Sequence, residues 1–260
     1  MGLSTSGDVE RCTGLPYLGS IPRAQVPASQ FNPSTAVVEY DDPALAAAFR
    51  RLHATILQEV PNAQVVALSS AVPKDGKTTC SVALARQSAL SGYGTVLLDC
   101  DLRRRSASAE LSDRPAAGLL EVLYGQARLE QALYLDGFTR LYFLPVSRNM
   151  HLVRKAVVQE VFSGPMLGEL VAALRKRFDR IFIDTPPLLA VADTRHLAPL
   201  ADAFLFVSRW KKTPADSVVT AVDLLKSAGA RLAGLALTQS PRAEVPGPRP
   251  LRAPSPALAR

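Results

Sequence analysis

From Gln64 onward the chain alternates short apolar runs with amphipathic stretches. The runs are Val65–Leu68, Val96–Leu98, Leu141–Leu144, Ile181–Ile183, Phe204–Val207 and Leu235–Leu237. Each is continuous rather than alternating, the pattern of a strand buried on both faces. Between them, helical spacing recurs near 78–91, 116–124, 163–177, 193–200 and 214–228. Such strands separated by helices predict an α/β fold, with a mostly parallel central sheet covered by helices on both faces. Upstream, Leu45, Phe49, Leu52 and Ile56 predict an amphipathic helix over 44–57. Residues 1–43 carry five prolines and little periodicity, which predicts a linker-like lead-in. The domain is therefore expected over 44–240. Residues 241–260, rich in Pro and Arg and without a large apolar cluster, are expected to be a disordered tail.

Composition narrows the class. A chain of 260 residues with 48% apolar content can bury the core of one large α/β domain. Its formal charge is +7, but the last twenty residues hold four Arg against one Glu, so +3 of that lies in the tail. The remaining +4 is no nucleic-acid footprint, and no nucleic-acid partner is expected. Cys12, Cys80 and Cys100 are too few and too scattered for a disulfide framework or a zinc site. No run approaches the ~18 apolar residues of a membrane span, and the N-terminus lacks a basic-then-apolar signal pattern. A cytoplasmic chain is expected, with any membrane role reached through a partner.

The chemistry collects at three strand ends. The first apolar run leads into Ser69-Ser-Ala-Val-Pro-Lys-Asp-Gly-Lys-Thr-Thr79, and a helix follows. Asp75-Gly76-Lys77-Thr78-Thr79 closes a phosphate-binding loop: amides at the helix start cradle phosphate oxygens, Lys77 reaches the β- and γ-phosphates, and the Thr78 hydroxyl binds Mg²⁺. The opening Gly of the full pattern is replaced by Ala71. A dinucleotide fingerprint needs three close glycines, and this loop has one. The second run ends in Asp99-Cys-Asp101-Leu-Arg103, two carboxylates where α/β sheets bind ligands; they suit metal binding and proton acceptance, or else simply cap a turn. Ile181-Phe-Ile-Asp184 places a carboxylate after a buried strand, as a Walker B segment does, and assigns Asp184 to the metal with Thr78 and Asp99.

At these residues the chain resembles the bacterial tyrosine kinases (BY-kinases) of the CpsD/CapB type, which act in capsule and exopolysaccharide synthesis. The resemblance runs from about Val9 to Thr238. It rests on Ser69–Thr79 as Walker A, Leu97–Arg103 as the Walker A′ motif, and Phe178–Pro187 as Walker B, with further matches from Ala192 through Asp202 and at Val207–Arg209. It implies a P-loop NTPase fold, ATP and Mg²⁺ as cofactors, and transfer of the γ-phosphoryl group to tyrosine. Lys77, Asp99 and Asp101 would be the catalytic residues, with Arg103 and Arg209 beside the nucleotide. It also implies a polysaccharide co-polymerase as membrane adaptor, holding the chain at the inner face of the membrane. Val9–Pro22 resembles the segment by which fused relatives leave that adaptor.

Four residues or segments depart from the family pattern. Relatives carry a tyrosine cluster at the C-terminus, whereas Tyr17, Tyr40, Tyr93, Tyr124, Tyr134 and Tyr142 all precede the tail. Self-association through the 44–57 helix is expected to be impaired, because the family's Glu-x-x-Arg-x-x-Arg reads Ala47, Arg50 and His53. Lys74 stands where relatives favour Gly, and Thr238-Gln239 where they offer Asn to the adenine. Two other readings follow. One is a nucleotide-gated scaffold of the export machinery that phosphorylates no tyrosine, whereas in the kinase reading partner tyrosines, or Tyr17 and Tyr40 in the lead-in, replace the missing cluster. The other is a ParA/MinD-type positioning ATPase, disfavoured because its signature Lys would fall at Val72.

Overall fold

The computed structural model describes residues 1–24, 42–112, 115–147 and 158–244. Eight strands form one sheet: β1 (Tyr17–Pro22), β2 (Val65–Ser70), β3 (Thr95–Asp99), β4 (Tyr134–Leu135), β5 (Tyr142–Leu144), β6 (Arg180–Asp184), β7 (Ala203–Arg209) and β8 (Leu232–Ser240). Their order is β1-β8-β7-β2-β6-β3-β5-β4. Every pairing is parallel except β4 with β5, an antiparallel hairpin at one edge.

All six predicted strands are present, and both faces of the sheet are covered. Alternate residues of each central strand point to opposite cores. Val66, Leu68, Leu97, Phe182 and Leu205 pack under α2 (Pro43–Glu59) and α3 (Lys77–Leu90). Val65, Ala67, Val96, Ile181 and Phe204 pack under α8 (Pro165–Arg175) and α9 (Ala215–Ser227). Asp42 caps α2 by accepting from the Leu45 amide, with Pro43 in the first turn, so the helix starts one residue ahead of the expected boundary.

Several elements correct the sequence reading. Residues 1–22 are part of the fold, not a lead-in: α1 (Ser6–Thr13) is closed by a Thr5–Asp8 capping box, and β1 adds to β8 as a fully buried edge strand. Gly234 permits the approach, since a Cβ there would stand 2.6 Å from Pro16 O and Leu18 Cγ. The predicted 116–124 stretch holds the short helix α5 (Leu119–Leu123), and three further short helices were not read as such: α4 (Ser106–Leu111), α6 (Leu129–Ala132) and α7 (Val158–Ser163). The 193–200 stretch is a 3₁₀ segment over Ala192–Leu200, with Pro199 inside it. The expected tail begins in order: the Glu244 amide donates to Ser20 Oγ at 2.7 Å, and Ser20 N donates to Glu244 O at 3.1 Å. Residues 245–260, like Tyr40, lie outside the described residues.

Candidate functional site

At the C-terminal end of β2 the chain turns through Ala71–Gly76 and enters α3 at Lys77. The turn needs left-handed backbone at two positions, Gly76 with φ 84° and Lys74 with φ 70°. At Gly76 a Cβ would press Thr238 at 3.2–3.4 Å, so glycine satisfies both conformation and space. Lys74 adopts its φ at a cost of roughly 1 kcal/mol. The loop is braced from β8 and from the loop after β7. Thr238 Oγ1 donates to Asp75 O at 2.7 Å, and Thr213 Oγ1 donates to the Asp75 carboxylate. Asp75 also accepts from the Arg209 backbone, and burial raises its pKa.

Three of the predicted residues meet directly. Lys77 Nζ donates to Asp184 Oδ1 at 2.6 Å and Thr78 Oγ1 to Asp184 Oδ2 at 2.9 Å. Ser81, one turn along α3 from Lys77, donates to the same Oδ1 at 2.7 Å. Asp184 has no solvent exposure, and three donors offset the desolvation of its charge. Of these groups, Lys77 and Thr78 line a cleft of about 240 Å³. Its rim runs from Lys74 to Thr79 on one side and through Asp101, Arg104, Ser106 and Glu110 on the other. Lined by charged groups and by amides at a helix start, the cleft suits a run of phosphates better than an apolar ligand.

The two carboxylates of the second strand end have separate positions. Asp101 lines the cleft, and burial raises its pKa. Asp99 does not line it. Asp99 is fully buried, in register with Asp184, and accepts from Asp101 N at 3.0 Å, Ser108 N at 2.9 Å and Ser108 Oγ at 2.6 Å. Burial, then the Asp184 charge, pushes its carboxyl up to about 7. Asp99 therefore braces the Asp101 turn and α4, and like Asp184 it is fully buried and does not line the cleft. Arg103 is solvent-exposed and off the cleft, and its neighbour Arg104 lines it instead. Arg209 does not line it either and serves through its backbone. Cys80 and Cys100 are buried, and burial pushes the Cys80 thiol up to about 12, consistent with packing roles.

A divalent cation fits this donor set only together with a nucleotide. Among the described residues no three Asp, Glu, His or Cys side chains converge. Thr78 Oγ1 and one Asp184 oxygen are oxygen ligands of the kind Mg²⁺ takes when phosphates and waters complete its shell. Sequence reasoning missed Ser81, Ser108, Arg104 and Thr213. Ser81 had a signal, its spacing of four from Lys77 on a helix; the other three are brought in by the turn after β3 and the loop after β7.

Residues 63–227 match the family described as an AAA domain. The succinoglycan biosynthesis transport protein ExoP of Rhizobium meliloti (strain 1021) is 34% identical over 164 residues, 63% of this chain and 20% of that protein. The tyrosine-protein kinase YwqD of Bacillus subtilis (strain 168) is 30% identical over 172 residues, covering 65% of this chain and 69% of YwqD. Among solved structures, the BceF tyrosine kinase domain superposes with a TM-score of 0.78 at 26% identity, over 92% of this chain and 99% of that domain. The chain spans only 20% to 33% of the length of the longer curated relatives it matches.

Proposed function

The chain belongs to the bacterial tyrosine-kinase family within the AAA-domain P-loop proteins, and from that premise we propose that it binds Mg-ATP and transfers the γ-phosphoryl group to tyrosine in exopolysaccharide or capsule synthesis. The observation that carries this reading is the convergence of Lys77, Thr78 and Asp184 beneath a loop of helix-start amides. Mg²⁺ held with the nucleotide by Thr78 and Asp184 would neutralise phosphate charge. The loop amides and Lys77 hold and orient the phosphates, and their donors act where charge builds up during transfer. Asp101, with its raised pKa, accepts the tyrosine proton as the tyrosine oxygen bonds to the γ-phosphorus and the bond to ADP breaks. Asp99 and Ser108 keep the Asp101 turn in place.

Retention of labelled ATP by the intact protein tests the reading. Wild type should hold ATP in the presence of Mg²⁺, and Lys77→Met should lose it. Wild type that retains none sinks the proposal.

A membrane adaptor of the polysaccharide machinery is the proposed partner, supported by the family and by the partial span of its longer members. No helix among the described residues is long and apolar enough to cross a membrane. A second reading, a nucleotide-gated scaffold that phosphorylates nothing, is favoured by tyrosine placement. The tail has none, and Tyr17 is 2% exposed, with burial pushing its hydroxyl up to about 12. Tyr17 is thus withdrawn as an acceptor in the folded protein. Tyr124 and Tyr142, at 39% and 41% exposure, are open to a second molecule. Phosphopeptide mapping after incubation with Mg-ATP separates the readings. The kinase should yield phosphotyrosine on an exposed site or on its adaptor and none on Tyr17, whereas the scaffold yields none anywhere.

A further inference from the structure

Lys74 combines three features that no structural role explains. Its backbone has φ 70°, a conformation that glycine or asparagine takes with far less strain. Its side chain is exposed on the rim of the cleft. It also makes no ion pair among the described residues, whereas Lys77 is engaged by Asp184 at 2.6 Å. Strain retained at a functional loop points from the outlier to a use for the side chain. The only part of Lys74 that a glycine would lack is its aliphatic stem and its ammonium, and the stem packs into no core cluster.

We propose that Lys74 is a second phosphate-binding cation of the loop and that it selects nucleoside triphosphate over diphosphate. The inference rests on the nucleotide reading above. The start of α3, Gly76–Thr79, presents its amides to the inner phosphates, and Lys77 reaches on to the outer ones. Lys74 lies on the limb that precedes this turn and shares the cleft with Asp101 and Arg104 on the far wall. A triphosphate extends one charged group beyond the helix-start amides, where Lys74 would join Lys77 in neutralising it, both residues lining the same cleft. An ammonium with no competing carboxylate gives it a charge-assisted hydrogen bond. A diphosphate ends short of it and gains little.

The test uses Lys74→Asn, Lys74→Gly and Lys74→Arg in the full chain. A fluorescent nucleotide displaced by Mg-ATP or Mg-ADP reports each affinity, and thermal unfolding reports stability. Asn and Gly both accept positive φ and both remove the charge. Each should weaken Mg-ATP about tenfold, about 1.4 kcal/mol, while Mg-ADP changes by less than about threefold. Arg should keep both affinities. Gly should also raise Tm, because it relieves the backbone strain. Unchanged ATP affinity in Lys74→Asn, or equal losses for ATP and ADP, overturns the proposal. So does a Lys74→Gly protein no more stable than wild type, which removes the strain from which the inference starts. Wild type that binds neither nucleotide overturns the nucleotide reading and this inference with it. Wild type that binds both but modifies no tyrosine overturns the kinase reading and leaves this one standing.

Discussion

Burial of His53 inside α2 shows how far one side chain can depart from the role its position suggests. Family spacing puts it at a charged assembly position, yet it is 5% exposed and its Nε2 has no hydrogen-bond partner. Burial, reinforced by the Arg180 charge, pushes its pKa down to about 4. Arg180 itself lies over the Tyr93 ring, which meets the imidazole edge-on. The unfolded chain binds the proton near pH 6.5, the native protein only near 4, so stability rises with pH across that window. Acidification from pH 7.5 to 4.5 should therefore remove roughly 2.5 kcal/mol through this residue alone. Urea unfolding at the two pH values checks this, since His53→Leu should lose less stability than wild type by about that amount. Equal losses in both proteins would show that His53 is not the source. The same burial takes His53 out of any charged contact between copies.

At the scale of elements, α3 carries the loop at its N-terminus and an anchor two turns on. Arg86 Nε and Nη2 donate to the two Asp136 oxygens at 3.0 and 2.8 Å, with side-chain exposures of 3% and 4%. Asp136 lies in the turn of the β4–β5 hairpin, where Thr139 Oγ1 also donates to it and Phe138 lies over the guanidinium. The pair ties the nucleotide helix to the far edge of the sheet. Removing one partner leaves a buried charge unpaired, so Asp136→Leu or Arg86→Met should cost about 3–5 kcal/mol in urea unfolding. The double variant should cost less than either single variant, and a double cost equal to the sum of the singles would exclude coupling. The central strands and long helices were legible because their periodicity is local and their apolar runs are continuous. The hairpin anchor was not, because an Arg on a helix and an Asp in a turn 50 residues away share no local pattern. β1 was missed for a related reason. Tyr-Leu-Gly-Ser-Ile-Pro carries Gly19 and Pro22 and reads as a turn, and only its pairing with β8, more than two hundred residues on, makes it a strand. In the site, Lys77, Thr78 and Asp184 were legible from motif spacing. Exchange of Arg103 for Arg104 at the cleft depends on the turn after Asp101, where Arg104 N donates to Asp101 Oδ1.

Across the whole molecule, the first 22 residues and the start of the tail hold the side of the sheet that flanks the nucleotide loop. Leu3, Val9, Tyr17, Leu18 and Ile21 are each no more than 5% exposed. β1 covers the edge of β8, whose Thr238 supports Asp75 O. The N-terminal segment clasps the loop after β7: Lys211 N donates to Leu3 O, Ala215 N to Met1 O and Trp210 Nε1 to Ser4 O. That loop presents Thr213 to the Asp75 carboxylate. The proline-rich ends that look like appendages in the sequence therefore differ along their length: residues 1–22 and 241–244 are structural, whereas 25–41 and 245–260 lie outside the described residues. Deleting residues 1–22 should uncover apolar surface and an open strand edge, which favour edge-to-edge association. It should also loosen both supports of Asp75. Size-exclusion chromatography should show association, thermal unfolding a Tm lower by more than about 5 °C, and nucleotide displacement a weaker Mg-ATP affinity in whatever monomer remains. A linker would give none of these. A truncated chain that stays monomeric, melts with the wild type and binds nucleotide as tightly would show that the loop needs neither support and that α1 and β1 only decorate the edge.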